Sequence, residues 1–591
     1  MMKKYSSIGL SILLLAGLIV AAALWIRVFY ASIEGYRSPL RAADLNPAAS
    51  LPAHTDQVVL VVVSGLGYDA AQALNLPVLE QLKRAGADVA VESTPPTYAQ
   101  TAWATLITGA PPDTNDAPPL DLARTILQPL AIDTIFARAQ AAGVPVAVMG
   151  RADWGRLIPR PQLDHSFFVN EAGPEADAAI FDAALPLIEN SDARLIVIQF
   201  TQVDFAAHHQ GGASSEAYQR AAQRIDAYLD QIRQAMNLNH SVLLILSDYG
   251  HIPDGGHGGD EVEVIWQPLV MIGENIIPGA YSDIHQTDIA PTLAALLGLP
   301  TPSAAQGRVL FEMLQLTRDE QTIIQLSQAQ QRVALAQAYA AALQSRPAVL
   351  PDSLLTDLAH AQASFISNNI DGALQLALLA QQEADTSLAA VKNRRLQTEQ
   401  FSRLIVALVV FLIWFVSLWR RRGFHAGSIV ITSLLVIVMY HALYQLQGHS
   451  YSLSSLNNFS ELPFEVARRT AVSLLAGGGL LFIFLLMTQE SDWLTLLGTG
   501  YGFGILVTFI FAAPLFWTYW QNGFVADWRL PAVLPAFWQI TSLFTVMSAA
   551  ILGLLLPWPM MTLGLFVHLL RRRLTARRTQ VGSDVLPGLR L

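Results

Sequence analysis

SDYGHIPDGGHGGDEVE, residues 247–263, is the stretch on which the reading of this chain turns. The apolar run 242–246 feeds into it and is short enough to be a buried strand. Polar residues then arrive together just past the strand's end, where open α/β sheets bind their ligands. Asp248, Tyr249, His251 and His257 sit there, in a loop whose glycines let backbone approach backbone closely. Asp248 and His257 are residue types that bind a hard or borderline cation.

Two earlier stretches repeat the pattern. The run 195–200 (LIVIQF) leads into TQVDFAAHHQG, where Asp204 and His208 are four apart and share one face of a first helical turn. The run 58–63 leads into Ser64-Gly65-Leu66-Gly67-Tyr68-Asp69. Three strands ending in small or ligand-type residues imply one shared site at one sheet edge.

The chain has 591 residues, too many for one ordinary domain. It is 52% hydrophobic and only 14% charged, below the usual quarter for soluble proteins. The bias is concentrated near the N-terminus and in the last third, as membrane spans would require. Cysteine is absent, so any metal must use histidine and carboxylate. A net charge of −10 gives no footing for nucleic acid.

In chain order, Lys3 and Lys4 precede an apolar run 8–26, so residues 1–29 read as an uncleaved membrane anchor and 30–53 as a linker. From 54 to 308, short apolar runs alternate with helical stretches, the pattern of a mostly parallel α/β sheet. Strands are expected at 58–63, 145–149, 195–200, 242–246 and 269–272, and helices at 76–85, 132–142, 175–189 and 215–236. Residues 309–402, rich in Ala, Gln and Leu and divided by Pro347 and Pro351, read as a helical stalk. Residues 403–570 hold five further spans, at 404–419, 429–446, 471–487, 494–516 and 540–569, and 571–591 form a basic tail. The last span contains Pro557 and Pro559, which predict a kink or re-entrant break. Six spans put Lys3-Lys4, Arg420-Arg421-Arg422 and Arg571-Arg572-Arg573 on the cytoplasmic side and the α/β domain outside, in a plasma-membrane-type arrangement. Arg468 and Arg469 fall on the outer side and run against that rule.

With these residues in place, the middle of the chain resembles the alkaline phosphatase superfamily. Within it, the chain is similar to membrane-bound GPI ethanolamine-phosphate transferases and type I phosphodiesterases/nucleotide pyrophosphatases. The resemblance rests on VVLVVVSGLGYD (58–69), STPPTYAQTAWATLITGAPP (93–112), VAVMGRADW (146–154), QFTQVDFAAHHQG, SDYGHIPDGGHGGDEVE and QTDIAPTLAALLGLP (286–300), in that order. It implies an alkaline-phosphatase-like fold and a site with two metal ions, usually zinc, and a Thr or Ser nucleophile. Carried over residue by residue, one ion would be held by Asp204, His208 and His257. The other half departs from the pattern: Ser64 replaces an Asp, Ala99 stands at the nucleophile position and Tyr249 replaces a His, so that only Asp248 remains. A methyl group cannot form a covalent phosphoryl intermediate, and Thr97 and Thr101, two residues to either side, point elsewhere on a helix start.

The expectation is therefore a membrane-anchored domain with one zinc half-site kept and the nucleophile half lost, which binds or scaffolds rather than turning over. The alternative is an active single-metal phosphoric or sulfuric ester hydrolase, or a phosphoethanolamine-type transferase, acting on a membrane lipid or lipid-linked glycan. A third reading places function in the spans, with the aromatic stretch 516–538 as its support. His251 is a reserve ligand and His209 a surface neighbour. Asp69 reads as a helix cap, Asp153 and Trp154 as cleft lining or packing, and Asp254, Asp260, Glu261 and Glu263 as solvated loop residues.

Overall fold

Strand β1, Gln57–Val63, is buried along all but its first residue, so it must be covered on both faces. The structure, a computed structural model, describes residues 2–41, 52–343, 351–419, 425–456 and 461–583. Pro347, Arg420-Arg421-Arg422, linker residues 42–51 and tail residues 584–591 lie outside the described residues.

The other strands are β2 (Ala87–Glu92), β3 (Val146–Arg151), β4 (His165–Val169), β5 (Leu195–Phe200), β6 (Ser241–Leu246), β7 (Trp266–Gly273), β8 (Gly279–Ala280) and β9 (Ile284–His285). They form one sheet in the order β4-β3-β5-β1-β6-β7-β2-β8, with β9 on β2. The β4-β3-β5-β1-β6 block is parallel, and β7 runs antiparallel to both β6 and β2. Val58, Leu60 and Val62 face a core that includes Trp103, Leu106, Phe136 and Leu293. Val59, Val61 and Val63 face the opposite core, with Leu79, Phe181, Val203 and Ile225. Register then places the site: Val63 pairs with Phe200 and Val62 with Leu246. Ser64, Thr201 and Ser247 therefore leave three adjacent strands at the same carboxyl edge.

Among the described residues, six helices are long and apolar enough to cross a membrane. The first, Met2–Glu34, extends beyond the expected 8–26 at both ends. The helix Ile370–Trp419 runs unbroken through 50 residues, packing its upper part on Arg318–Leu343 and Asp352–Ile366 before it enters the span region. Ala426–Leu446, Leu462–Met487 and Trp493–Asn522 follow.

The last span breaks at Leu556 into Val533–Leu555 and Pro557–Ser583, since proline removes a backbone donor and clashes with the preceding turn. Both halves run along the helix Trp493–Asn522. A methyl added at Gly504 would meet the Cα of Gly553 at 2.7 Å, one at Gly500 would meet Pro557, and one at Gly564 would meet Leu496. The contacts advance steadily in opposite directions along the two partners, so this is one kinked span and not a hairpin. Lys4 bonds Asp492 at 2.6 Å and Arg571 donates to the carbonyl of Leu486. The start of the chain, the 487–493 turn and the final basic cluster thus share the face opposite the α/β domain. On the near face, Phe29, Ile33 and Tyr36 pack with Tyr98 and Leu120.

Candidate metal centre and its filled neighbour

Asp204 and His208 ride on the helix Gln202–His209, which follows β5 directly. Asp177 holds the start of that helix, accepting from the backbone N–H groups of Thr201 and Gln202 at 2.8 and 2.9 Å. His251 arrives from the loop after β6, where Ile252 and Gly256 close a tight turn. Its buried ring lies over Gly65, at φ +84°, where a Cβ would stand 2.6 Å from Nε2. Only glycine fits both that backbone angle and that approach.

Asp204, His208 and His251 each present one ligand atom, and these three atoms lie within 4.8 Å of one another. Oδ1 of Asp204 is 3.1 Å from Nε2 of His251 and 3.5 Å from Nε2 of His208, and it accepts the Tyr249 hydroxyl at 3.0 Å. Neither nitrogen of the buried His251 ring has an aligned hydrogen bond, so the short approach to Asp204 is off-line. Orphaned buried nitrogens beside a carboxylate and a second imidazole are what a metal site needs from its donors. The residues present fit a divalent cation.

His257 stands beside the trio, its ring centre 5.0 Å from that of His208 and 5.2 Å from that of His251. Its Nδ1 lies 3.0 Å from the carbonyl of Thr97. A carbonyl only accepts, so Nδ1 carries the proton and Nε2 keeps a lone pair, the arrangement that metal-ligating histidines use. Tyr249 stacks on it at 4.1 Å.

The electrostatics follow from burial and pairing. For Asp204 burial favours the neutral acid, but the close approach and charge of His208 and His251 outweigh it and hold the carboxyl well below the usual range. Burial also opposes charge on His208, yet Asp204 raises it above its ordinary value. Burial, then the neighbouring His251 and His208, pushes His257 down to about 3. Burial likewise lowers His251. His251 and His257 are therefore neutral at physiological pH.

Asp248 is in a different situation. One oxygen accepts the Ser64 hydroxyl at 2.8 Å and the Trp103 indole at 2.7 Å. The other accepts the N–H groups of Gly65 and Tyr249 at 3.2 and 3.0 Å. Ser64 is itself held by Gln199 at 2.9 Å, whose carbonyl oxygen takes the Trp154 indole at 2.9 Å. Trp103 stacks on Trp154 at 5.1 Å. Burial pushes Asp248 up to about 7, against these donors.

Ala99 is the first residue of the helix Ala99–Thr108. Thr97 donates to the carbonyl of Gly259 at 3.1 Å and Thr101 to that of Pro118 at 2.7 Å, so both hydroxyls are committed to backbone. Asp121, which no sequence pattern singled out, accepts the Gln100 N–H at 3.2 Å at that helix start and lies within electrostatic reach of Asp204 and His208. Trp154 packs fully buried, and Asp153 pairs with Arg151. Asp69 lies within the first turn of Tyr68–Ala73, with Gly67 at the cap position instead. Glu261 does more than meet solvent. It accepts the Ser454 hydroxyl at 2.7 Å, and Ser454 accepts the Gly259 N–H at 2.9 Å. The His257 loop is thereby fastened to the membrane domain.

The described residues thus combine a mostly parallel sheet, an Asp-His-His group at its carboxyl edge and six helices long and apolar enough to cross a membrane. Residues 126–263 match the family model for type I phosphodiesterase / nucleotide pyrophosphatase. The chain is 25% identical over 299 residues to the human (Homo sapiens) GPI ethanolamine phosphate transferase 2, catalytic subunit, covering 47% of this chain and 30% of that protein. It is 24% identical over 455 residues to GPI ethanolamine phosphate transferase 2 of Schizosaccharomyces pombe, covering 69% of this chain and 57% of that one. The chain thus spans less than two thirds of either relative. Among solved structures, murine ectonucleotide pyrophosphatase / phosphodiesterase 5 aligns with a TM-score of 0.36 at 13% identity, over 44% of this chain and 99% of that one. Alkaline phosphatase PafA aligns with a TM-score of 0.37 at 11% identity, over 45% and 100%.

Proposed function

We propose that the protein is a membrane-bound, single-metal relative of the phosphodiesterases and phosphoethanolamine transferases. It binds a phosphate-ester head group, on a membrane lipid or lipid-linked glycan, without forming a phosphoenzyme. The observation that carries this reading is the contrast between the two halves of the site. Asp204, His208 and His251 converge, with both buried ring nitrogens of His251 unmatched, whereas both oxygens of Asp248 are already taken. A divalent ion, for which zinc suits the nitrogen and oxygen donors, would supply Lewis-acid polarisation of a phosphoryl oxygen. Asp204, His208 and His251 would hold it, with His257 as a further nitrogen donor. Ala99 offers no nucleophile, and Thr97 and Thr101 are bonded elsewhere.

The lipid-linked partner is supported by the names of the relatives and by the six apolar helices. Basic residues at Lys3, Lys4 and 571–573 support cytoplasmic termini and an extracytoplasmic α/β domain. A second reading, direct ester hydrolysis at the same ion, is favoured by His251, which gives the trio a full donor set without His257.

Metal analysis of the detergent-purified full chain, after zinc loading and dialysis, tests the proposal together with an aryl phosphodiester assay. The expected result is about one ion per chain, lost in His208→Ala, with no turnover in either protein. Turnover that disappears in His208→Ala would replace binding with hydrolysis. A wild-type chain that retains no ion would overturn the metal reading altogether.

A further inference from the structure

Arg469 lies seven residues into the membrane helix Leu462–Met487 and is only 8% exposed. Seven residues rise about 10 Å, so it sits in the first third of the span, on the face that carries the α/β domain. Its guanidinium carbon is 4.5 Å from the Tyr444 ring centre and 5.6 Å from that of Tyr440. Among the described residues its single hydrogen bond goes to Oε1 of Gln447 at 3.2 Å, and its buried Nε has no partner. No carboxylate pairs with it among the described residues. Glu465, one turn earlier and in place for an i,i+4 pair, instead lines a cavity of about 250 Å³ beside His449 and Asp254.

A buried cation without a counter-charge is costly to keep. The aromatic faces recover only part of that, and one neutral hydrogen-bond acceptor does not make up the rest. The guanidinium fork is shaped for a planar pair of anionic oxygens. The walls suit the head-group boundary of a bilayer: the His441 ring meets the Tyr451 hydroxyl at 2.9 Å, and Tyr451 stacks on Tyr444 at 4.9 Å. Such amphipathic rings belong at that depth, and basic pockets between spans recognise lipid phosphates.

We infer that Arg469, caged by Tyr440 and Tyr444, is a binding site for the phosphate group of a membrane phospholipid. The site belongs to the span bundle and does not depend on the metal centre. It also explains why an arginine stands on the outer side of the membrane, against the usual charge rule.

The test is thermal melting of the delipidated full chain in detergent, wild type beside Arg469→Gln, with phosphatidylglycerol, with diacylglycerol and with inorganic phosphate. Phosphatidylglycerol should raise the wild-type Tm by about 3 °C or more. Diacylglycerol should not, and Arg469→Gln should lose the response. A matching shift with inorganic phosphate alone would keep the anion site and assign it to free phosphate. No shift in the wild type, an equal shift from diacylglycerol, or an equal shift in the variant would overturn the inference. If Arg469→Gln fails to fold, the three ligands still decide the matter on the wild-type chain.

Discussion

The indole N–H of Trp103 donates to Oδ2 of Asp248 over 2.7 Å, on the same oxygen that takes the Ser64 hydroxyl. Two neutral donors thereby satisfy one oxygen of a buried carboxylate. Trp103→Phe keeps the ring and removes one donor, leaving Asp248 underbonded. The expected loss is about 1–3 kcal/mol of stability, read as a lower Tm, with zinc content unchanged. A parallel fall in bound zinc would show that the two halves of the site are one.

Ala99→Thr places a hydroxyl at the first turn of Ala99–Thr108 without altering Ser64 or Tyr249. Activation of that oxygen needs a lowered pKa or an adjacent base, and the Asp248 side of the site is already hydrogen-bonded throughout. Intact-mass measurement after incubation with a phosphodiester should find no phosphoryl adduct. An adduct would mean that the missing oxygen alone had silenced the chemistry.

Asp177 fixes the start of the helix that carries Asp204 and His208, and burial pushes it up to about 6 from 3.8. The folded state holds this proton more tightly than the unfolded chain does. Its contribution to stability is therefore full below about pH 4 and is lost as pH rises through about 6, by roughly 3 kcal/mol at most. Asp177→Asn has no such proton. Whatever its constant offset, its Tm should climb relative to wild type between pH 4 and pH 7; a parallel course in the two proteins would refute this.

Gly504 and Gly553 bring two membrane helices together backbone to backbone, with a Cβ on Gly504 at 2.7 Å from the opposite Cα. Small residues are the means by which spans approach this closely. Gly504→Val should cost about 1–3 kcal/mol by overpacking, measured as detergent-solubilised Tm. Gly479, with nothing near its Cβ position, should tolerate alanine.

The strands β1, β5 and β6 were legible because a strand covered on both faces writes itself as an unbroken apolar run. Strand β4 was not, because Ser166 and Phe167 are exposed on the sheet's edge and leave no such run. Asp204 and His208 could be read from their helical spacing. His251 entered only as a reserve, since nothing in a loop sequence reveals that a tight turn will fold a ring over Gly65. The network of Gln199, Trp103 and Trp154 was hidden for a different reason. Its members lie within a strand and helices whose pattern reports packing, and their polar atoms meet only after the sheet has formed. The kink at Pro557 was visible, but whether the chain continued or turned back depended on which glycines face the neighbouring helix.

The two hydrogen bonds that tie Gly259 and Glu261 to Ser454 have a practical meaning for anyone who would work with a soluble fragment. They brace the loop behind His257 against the top of the bundle, as a keystone is braced by its abutment. An α/β domain cut free of the membrane helices would keep Asp204, His208, His251 and His257 and lose that brace, so a metal-binding measurement on it would test a loosened site rather than the native one.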